Sequence, residues 1–333
     1  IGPEVVIKTF SDNRILQSCM PVIYGSSKTL NAHKKSMDGE PFNFMSIKDA
    51  SEAKSKKVNV VNVWTEEPEI TFGEANETGG KYAFQSLEKA TQDLSENKID
   101  VLVTAPISKE TIIKAGFNFI GHTEYLADMS GVEEALMIMV SDNLRVALTT
   151  THMALKEVSE SLIREKVLHK IKQLNSTLTT DFGIRRPKIA VLGCNPHAGE
   201  NGKMGSEEQE IIVPAINHAK EEGILAFGPF PADGFFGSEA RGQYDACLAM
   251  YHDQGLTPFK ALAFDSGVNY TAGLPIVRTS PDHGTAFDIA GKNKASEVSF
   301  RQAVYAAVDI YKQRKFNKEI TANPLKEQPK ARR

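Results

Sequence analysis

The sequence predicts an α/β fold with a largely parallel sheet, divided into two domains, and three observations predict it. Helix-sized amphipathic segments alternate with short apolar, strand-sized runs along the chain. At 333 residues the chain exceeds the usual size of a single hydrophobic core. Three of its eight histidines, His152, His197 and His252, each stand where an apolar run gives way to a polar turn. In α/β sheets that is where ligands bind, outside the carboxyl ends of the strands.

Each element has its own signal. Residues 3–9 open a helix with proline in its first turn. Residues 20–25 read as a strand, followed by a helix capped at Ser26 or Ser27. Residues 46–58 are polar and are expected to be loop or sheet edge, and 58–64 are β-branched and strand-like. Over residues 79–97, Tyr82, Ala83, Leu87, Ala90 and Leu94 recur at helical spacing, and 100–106 form a buried strand. Residues 135–140 and 145–149 make a strand pair. Residues 159–175 make one helix, with Leu162, Ile163, Val167, Ile171 and Leu174 on one side. Residues 188–193 and 245–251 are strands. Ser206 with Gln209 has the spacing of a capping box and opens a helix to about Glu222; Ser299 with Gln302 begins the last long helix in the same way. The polar tail from Lys318, with Pro324 and Pro329, is expected to fray. There is no internal repeat.

Composition narrows the function classes. The apolar fraction of 41% and charged fraction of 24% are those of an ordinary soluble globular protein. A net charge of -3, without a long basic run outside the tail, argues against nucleic acid as a partner. Cys19, Cys194 and Cys247 are too few, and odd in number, for a disulfide framework, so reduced thiols and a cytoplasmic location are expected. No run of 18 apolar residues predicts a membrane span.

The histidines carry the chemistry. Residues 146–149 run into His152, 189–193 into His197 and 246–251 into His252. Three imidazoles delivered to one sheet edge suit a single divalent metal with a coordination position left open. Their spacings of 45 and 55 residues fit no local zinc motif, so the signal rests on topology. His169 and His218 lie in amphipathic helical patterns and read as ordinary surface or core residues. Gly199, Gly202 and Gly205 lie between His197 and Ser206, forming a plain mobile loop, an anion-binding helix start or a lid. Gly121-His122-Thr123-Glu124 can hold a phosphate or carboxylate, or Thr123 simply caps the next helix. Lys260, Asn269, Arg278, His283 and Asp288 fall in the polar stretch 252–291, where lysine and arginine are natural phosphate partners.

Taken together, these segments resemble the 4-hydroxythreonine-4-phosphate dehydrogenase family. The matching stretches are GHTE at 121–124, TTH at 150–152, NPHAGENGKMG at 195–205, PAD at 231–233, YHDQG at 251–255, GVN at 267–269 and GLPIVRTSPDHGTAFDIAG at 273–291. They span most of the chain. The resemblance implies an isocitrate/isopropylmalate dehydrogenase-like fold with an active-site cleft between two domains. One domain comprises 1–108 plus 266–333, on the NAD side; the other is 109–265, with the metal ligands and the dimer contact. It implies His152, His197 and His252 as metal ligands and His122, Thr123, Lys260, Asn269 and Arg278 as substrate-binding residues. His283, Gly284, Thr285, Asp288 and Gly291 would touch the cofactor. Asp233, Asp253 and Lys260 are catalytic candidates, with loop capping as the alternative for the two aspartates.

The implied reaction is oxidation of 4-phosphooxy-L-threonine at C3, in pyridoxal phosphate biosynthesis. The cofactor is NAD, with NADP as an alternative, and its use without a G-x-G-x-x-G fingerprint is consistent with that fold. The metal is zinc, or else cobalt, manganese or magnesium. The assembly is a homodimer with a shared active site. Two rival readings are a paralogous dehydrogenase of 4-phospho-D-threonate or 4-phospho-D-erythronate, and a non-catalytic metal- or anion-binding protein. The resemblance also implies a further strand and a Gly-Asp-Pro-x-Gly turn ahead of Ile1-Gly2-Pro3-Glu4.

Overall fold

The alternation of helix and strand is realised along the chain. The computed structural model describes residues 1–37 and 41–323. In chain order these form α1 (Gly2–Ser11), β1 (Val22–Gly25), α2 (Ser27–Lys35), β2 (Met45–Ile47), β3 (Asn59–Asn62), α3 (Glu77–Ser95), β4 (Leu102–Val103), α4 (Lys109–Lys114) and α5 (His122–Met129). There follow β5 (Leu136–Ser141), β6 (Leu144–Leu148), α6 (Leu155–Ser161), α7 (Arg164–Thr180), β7 (Lys188–Leu192), α8 (Val213–Glu221), β8 (Leu225–Phe230) and α9 (Ala232–Gly237). The last elements are β9 (Ala246–Ala249), α10 (His252–Ala263), β10 (Val268–Ala272), β11 (Arg278–Pro281) and α11 (Val298–Thr321).

A small parallel sheet has the order β1-β3-β2, and a large sheet has the order β4-β11-β10-β5-β6-β9-β7-β8. Alternation of side chains across the large sheet feeds two cores. Ala147, Ile189, Val191 and Leu248 point to one face, beneath α7 and α8. Val146, Leu148, Ala190, Leu192, Cys247 and Ala249 point to the other, beneath α9 and α10. Burial on both faces explains why these strands read as unbroken apolar runs. Helix α10 lies so close to the sheet that a Cβ at Gly255 would come within 2.8 Å of Val146 and 2.9 Å of Leu148.

Several expectations are corrected. The large sheet is mixed, because β5, β6, β10 and β11 pair antiparallel, β5 with β6 through the two-residue turn at Asp142 and Asn143. Strands β8, β10 and β11 were not legible as strands, and β2 forms the sheet edge within the polar stretch 46–58. The helix expected over 159–175 is two helices, α6 and α7, separated by extended residues Leu162 and Ile163. The apolar periodicity runs through the break because Val158, Leu162 and Val167 join one core. Neither capping box forms. Ser206 makes no side-chain cap, and Ser299 lies inside α11, where its hydroxyl donates to Gly267 O and accepts from the Asp282 N–H. Helix α11 continues through Lys318 to Thr321, while Pro324 and Pro329 lie outside the described residues. The two domains drawn above share the large sheet, since β10 hydrogen-bonds directly to β5. Among the described residues no helix is long and apolar enough to cross a membrane.

One buried ion pair fixes the far side of the sheet. Asp181, at the end of α7, accepts from Tyr270 Oη at 2.6 Å and from Arg314 Nε at 2.6 Å. Arg314 also donates to the carbonyls of Leu274, Pro275 and Ile276, at 3.0–3.2 Å, and so holds the turn leading into β11. Asp181→Ala leaves a half-buried guanidinium unpaired and is expected to cost about 3–5 kcal/mol in urea unfolding. A loss under 1 kcal/mol would show that the turn is held by other contacts.

Candidate active site

Arg278 opens β11 and is only 4% exposed. Its Nε and Nη2 donate to Thr104 Oγ1 at 3.1 and 2.6 Å, and its Nη1 donates to Thr271 Oγ1 at 3.0 Å. Its Nη2 also lies 3.2 Å from His122 Nδ1. A guanidinium can only donate, so His122 Nδ1 accepts and its proton sits on Nε2. Burial, then the Arg278 charge, hold His122 well below its usual pKa. Burial also draws Arg278 down to about 10, which leaves it cationic at neutral pH. Among the described residues no carboxylate forms an ion pair with Arg278. Hydroxyls and a neutral ring satisfy its N–H groups but do not neutralise it, and a buried charge is normally paired.

The register places further polar groups on the same face. Thr271 stands opposite Arg278, and Asn269 opposite Ser280, two residues along each strand. Asn269 Oδ1 is buried without a hydrogen-bond partner. Thr123, in the first turn of α5 rather than at its cap, lines a cavity of about 440 Å³ with Glu124, Thr149, Thr151 and His152.

Strands β6, β9 and β7 are parallel neighbours in that order, so the turns carrying His152, His252 and His197 leave the same sheet edge. Those turns are braced. Thr150 donates through Oγ1 to Met250 O at 2.8 Å. Buried Gln254 accepts from Met250 N–H at 2.7 Å and donates to Gly193 O at 2.6 Å. The rings of His152 and His252 lie 6.1 Å apart, centroid to centroid. Glu124 Oε1 is 3.8 Å from His152 Nδ1, and Asp253 Oδ1 is 2.7 Å from His252 Nδ1. The neighbouring His152 imidazole holds the half-buried Glu124 carboxyl below its usual pKa.

His197 is presented differently. Residues 197–201 are all left-handed, with φ of 52°, 48°, 79°, 42° and 58°. Such backbone costs about 1–2 kcal/mol per residue other than glycine, and strain of this kind gathers at functional sites. Among the described residues, no three His, Cys, Asp or Glu side chains come together as a metal-ligand set within this one chain. The structure thus brings His152 and His252 together without closing the set on His197.

Lys260 stands 3.2 Å from Asp282, which is largely buried. Burial pushes the Asp282 carboxyl up, while Lys260, His283 and His252 pull it back, so these groups share one neighbourhood. The sequence pointed to Lys260 and His283 but missed Asp282, Thr104 and Thr271; only the alternation around Asn269 and Arg278 marked Thr271. His283 Nε2 is buried without a partner. Gly284 and Thr285 continue the loop after β11, Lys292 donates to the Asp288 carbonyl, and Gly291 packs against Phe72. Asp233 is exposed in the first turn of α9 and makes no hydrogen bond or ion pair among the described residues.

The family of the pyridoxal phosphate biosynthetic protein PdxA matches residues 17–307. A 4-hydroxythreonine-4-phosphate dehydrogenase of Bacteroides thetaiotaomicron is 49% identical over 98% of this chain and 90% of its own length. A D-threonate 4-phosphate dehydrogenase of Cupriavidus necator is 38% identical over 93% of each. The crystal structure of a 4-hydroxythreonine-4-phosphate dehydrogenase from Klebsiella pneumoniae superposes with a TM-score of 0.79 at 35% identity, covering 93% of this chain and 94% of that one.

The neutral state of His122 has a pH signature. Below about 6.5 the unfolded chain takes up a proton at this residue that the folded chain does not, so stability falls as pH falls. Half-buried His33, held at about 4, acts in the same direction. His122→Gln, which still accepts from Arg278, is expected to flatten unfolding free energy between pH 6.5 and 5 by up to about 1.4 kcal/mol per pH unit. An unchanged slope would place the proton elsewhere.

Proposed function

The chain belongs to the family of the pyridoxal phosphate biosynthetic protein PdxA, whose named members are dehydrogenases, and we propose that it oxidises 4-phosphooxy-L-threonine at C3 with NAD. C3 loses a hydride to the nicotinamide, and its hydroxyl loses a proton to the protein or solvent. The product, 2-amino-3-oxo-4-phosphooxybutanoate, is a β-keto acid and loses carbon dioxide to give 3-amino-2-oxopropyl phosphate. NADP is the alternative cofactor.

The observation that carries this reading is the buried charge of Arg278, which hydroxyls and a neutral ring hydrogen-bond and which no carboxylate pairs with directly, Glu124 acting on it through its charge without a hydrogen bond. A substrate phosphate supplies the missing anion. His122 then donates through Nε2, and Thr123 and Asn269 offer further hydrogen bonds. Lys260 adds a second cation, partly offset by Asp282. The loop with His283, Gly284, Thr285, Asp288 and Gly291 follows β11 directly, a position suited to the adenosine half of the dinucleotide.

The donor set at the strand ends suits a divalent metal. His152 and His252 face each other, and Asp253 on His252 Nδ1 leaves Nε2 free. Bound there, an ion would supply Lewis acidity to the hydroxyl oxygen on the carbon being oxidised. Neutral imidazoles favour zinc, with cobalt, manganese or magnesium as alternatives. Because no set closes within one chain, we assign the third ligand to His197 of the partner subunit in a two-fold homodimer. Within this reading Asp253 orients His252, and Asp233 is left without a contact that supports a proton relay. A second reading, action on 4-phospho-D-threonate, is supported by the name of the Cupriavidus necator relative.

NADH absorbance tests the proposal. The protein should reduce NAD with 4-phosphooxy-L-threonine, lose activity to a chelator and regain it with zinc or cobalt. Faster turnover of 4-phospho-D-threonate would select the second reading. Binding of metal or phosphate without reduction of NAD by either substrate would point to the non-catalytic rival. His152→Ala and His197→Ala should each be inactive, and an equimolar mixture should regain about one quarter of full activity, since about half of the dimers are mixed and one of the two sites in each of these is complete. No recovery on mixing would contradict the shared site.

A further inference from the structure

Glu208 is 2% exposed and lies eleven residues beyond His197, at the start of a π-helical turn, Glu208–Ile212, that leads into α8. Pro214, which has no N–H to continue the regular ladder, follows closely, and single π turns are frequent at functional sites. The Glu208 side chain turns back toward the carboxyl end of β7. Its Oε1 accepts from the backbone N–H groups of Cys194 and Asn195, both at 2.7 Å, and its Oε2 accepts from Asn195 Nδ2 at 3.0 Å. A Cβ at Gly199 would fall 2.5 Å from Glu208 Oε2, so the carboxylate also abuts the middle of the left-handed turn. Neighbouring Glu207 accepts from Asn195 Nδ2 at 2.7 Å and from Ser159 Oγ, which ties the same turn to α6.

We propose that Glu208 is the positioning residue for His197: its buried carboxylate holds the residues that lead into the left-handed turn, abuts the middle of that turn at Gly199, and thereby fixes where that imidazole stands at the metal centre. This rests on the metal reading given above. Backbone in this conformation persists only where its surroundings hold it. Cys194 N–H and Asn195 N–H point at one carboxylate oxygen, and the other oxygen fills the space that Gly199 leaves. Released from Glu208, residues 197–201 are free to return to right-handed or extended backbone, and the imidazole moves with them.

Two measurements on the full-length, metal-free protein and one on the metal-loaded protein separate the possibilities. In Glu208→Ala, hydrogen exchange at the amides of residues 194–202 should accelerate, while amides of β6 and β9 keep their protection. The midpoint of thermal unfolding should fall only modestly. Titration with cobalt, followed by its visible ligand-field absorption, should show affinity reduced about 10- to 100-fold, as when a supporting group is removed from a metal ligand. Glu208→Gln, which keeps an acceptor for Cys194 and Asn195, should recover part of both effects and serves if the alanine variant does not fold. Gly199→Ala should mimic Glu208→Ala, and in the double variant the two effects should not add. Unchanged exchange at 194–202 overturns the proposal, as does faster exchange with unchanged cobalt affinity. A wild-type protein that binds no cobalt overturns the metal reading, and the positioning role falls with it.

Discussion

The buried guanidinium of Arg278 is the constraint around which the site is arranged. Removing a charge from water is costly unless an opposite charge takes water's place. Here the neighbours are Thr104, Thr271 and a neutral His122, which donate or accept but carry no charge. They hold the guanidinium in one orientation at the meeting of β4, β10 and β11, with α5 delivering His122. The Asp181–Arg314 clamp lies on the opposite side and fixes the turn that precedes Arg278. The fold therefore keeps a buried cation with no direct ion-pair partner, Glu124 opposing its charge without a hydrogen bond, which suits the anion-binding role proposed for this pocket.

The histidine half of the candidate site depends on strand order. Placing β9 between β6 and β7, all parallel, brings three histidine turns to one edge. Thr150 and Gln254 then lock those turns to each other. The turn holding His197 is the most strained part of this edge, and Glu208 is the group that compensates it.

Much of this was legible in the sequence, for identifiable reasons. Strand-end histidines announce themselves because buried parallel strands are apolar runs and the turns beyond them are polar. The resemblance to a dehydrogenase family supplied His122 and Arg278, and the structure puts them in contact. What escaped was whatever depends on long-range pairing. Thr104 and Asp282 meet their partners only after β4, β10 and β11 have assembled. Strands β10 and β11 were hidden in a stretch rich in polar residues because one face of each is lined by the site. Ser206 and Ser299 had the spacing of helix caps, yet the chain uses Glu207, Glu208 and the Ser299 hydroxyl for tertiary contacts instead. Local propensity was overridden where function required it.

The central claim is that Arg278 is a buried cation without a direct ion pair, opposed only by the longer-range charge of Glu124, and that its partner is an external phosphate. Thermal unfolding of the metal-free protein in rising inorganic phosphate, compared with Arg278→Met, tests it most directly. The account predicts that phosphate stabilises the wild type, by about 2.7 kcal/mol at one hundred times its dissociation constant. It also predicts that the methionine variant does not respond, and that without phosphate it is at least as stable as the wild type. A methionine variant stabilised by phosphate to the same extent, or one that is severely unstable without it, would contradict the claim.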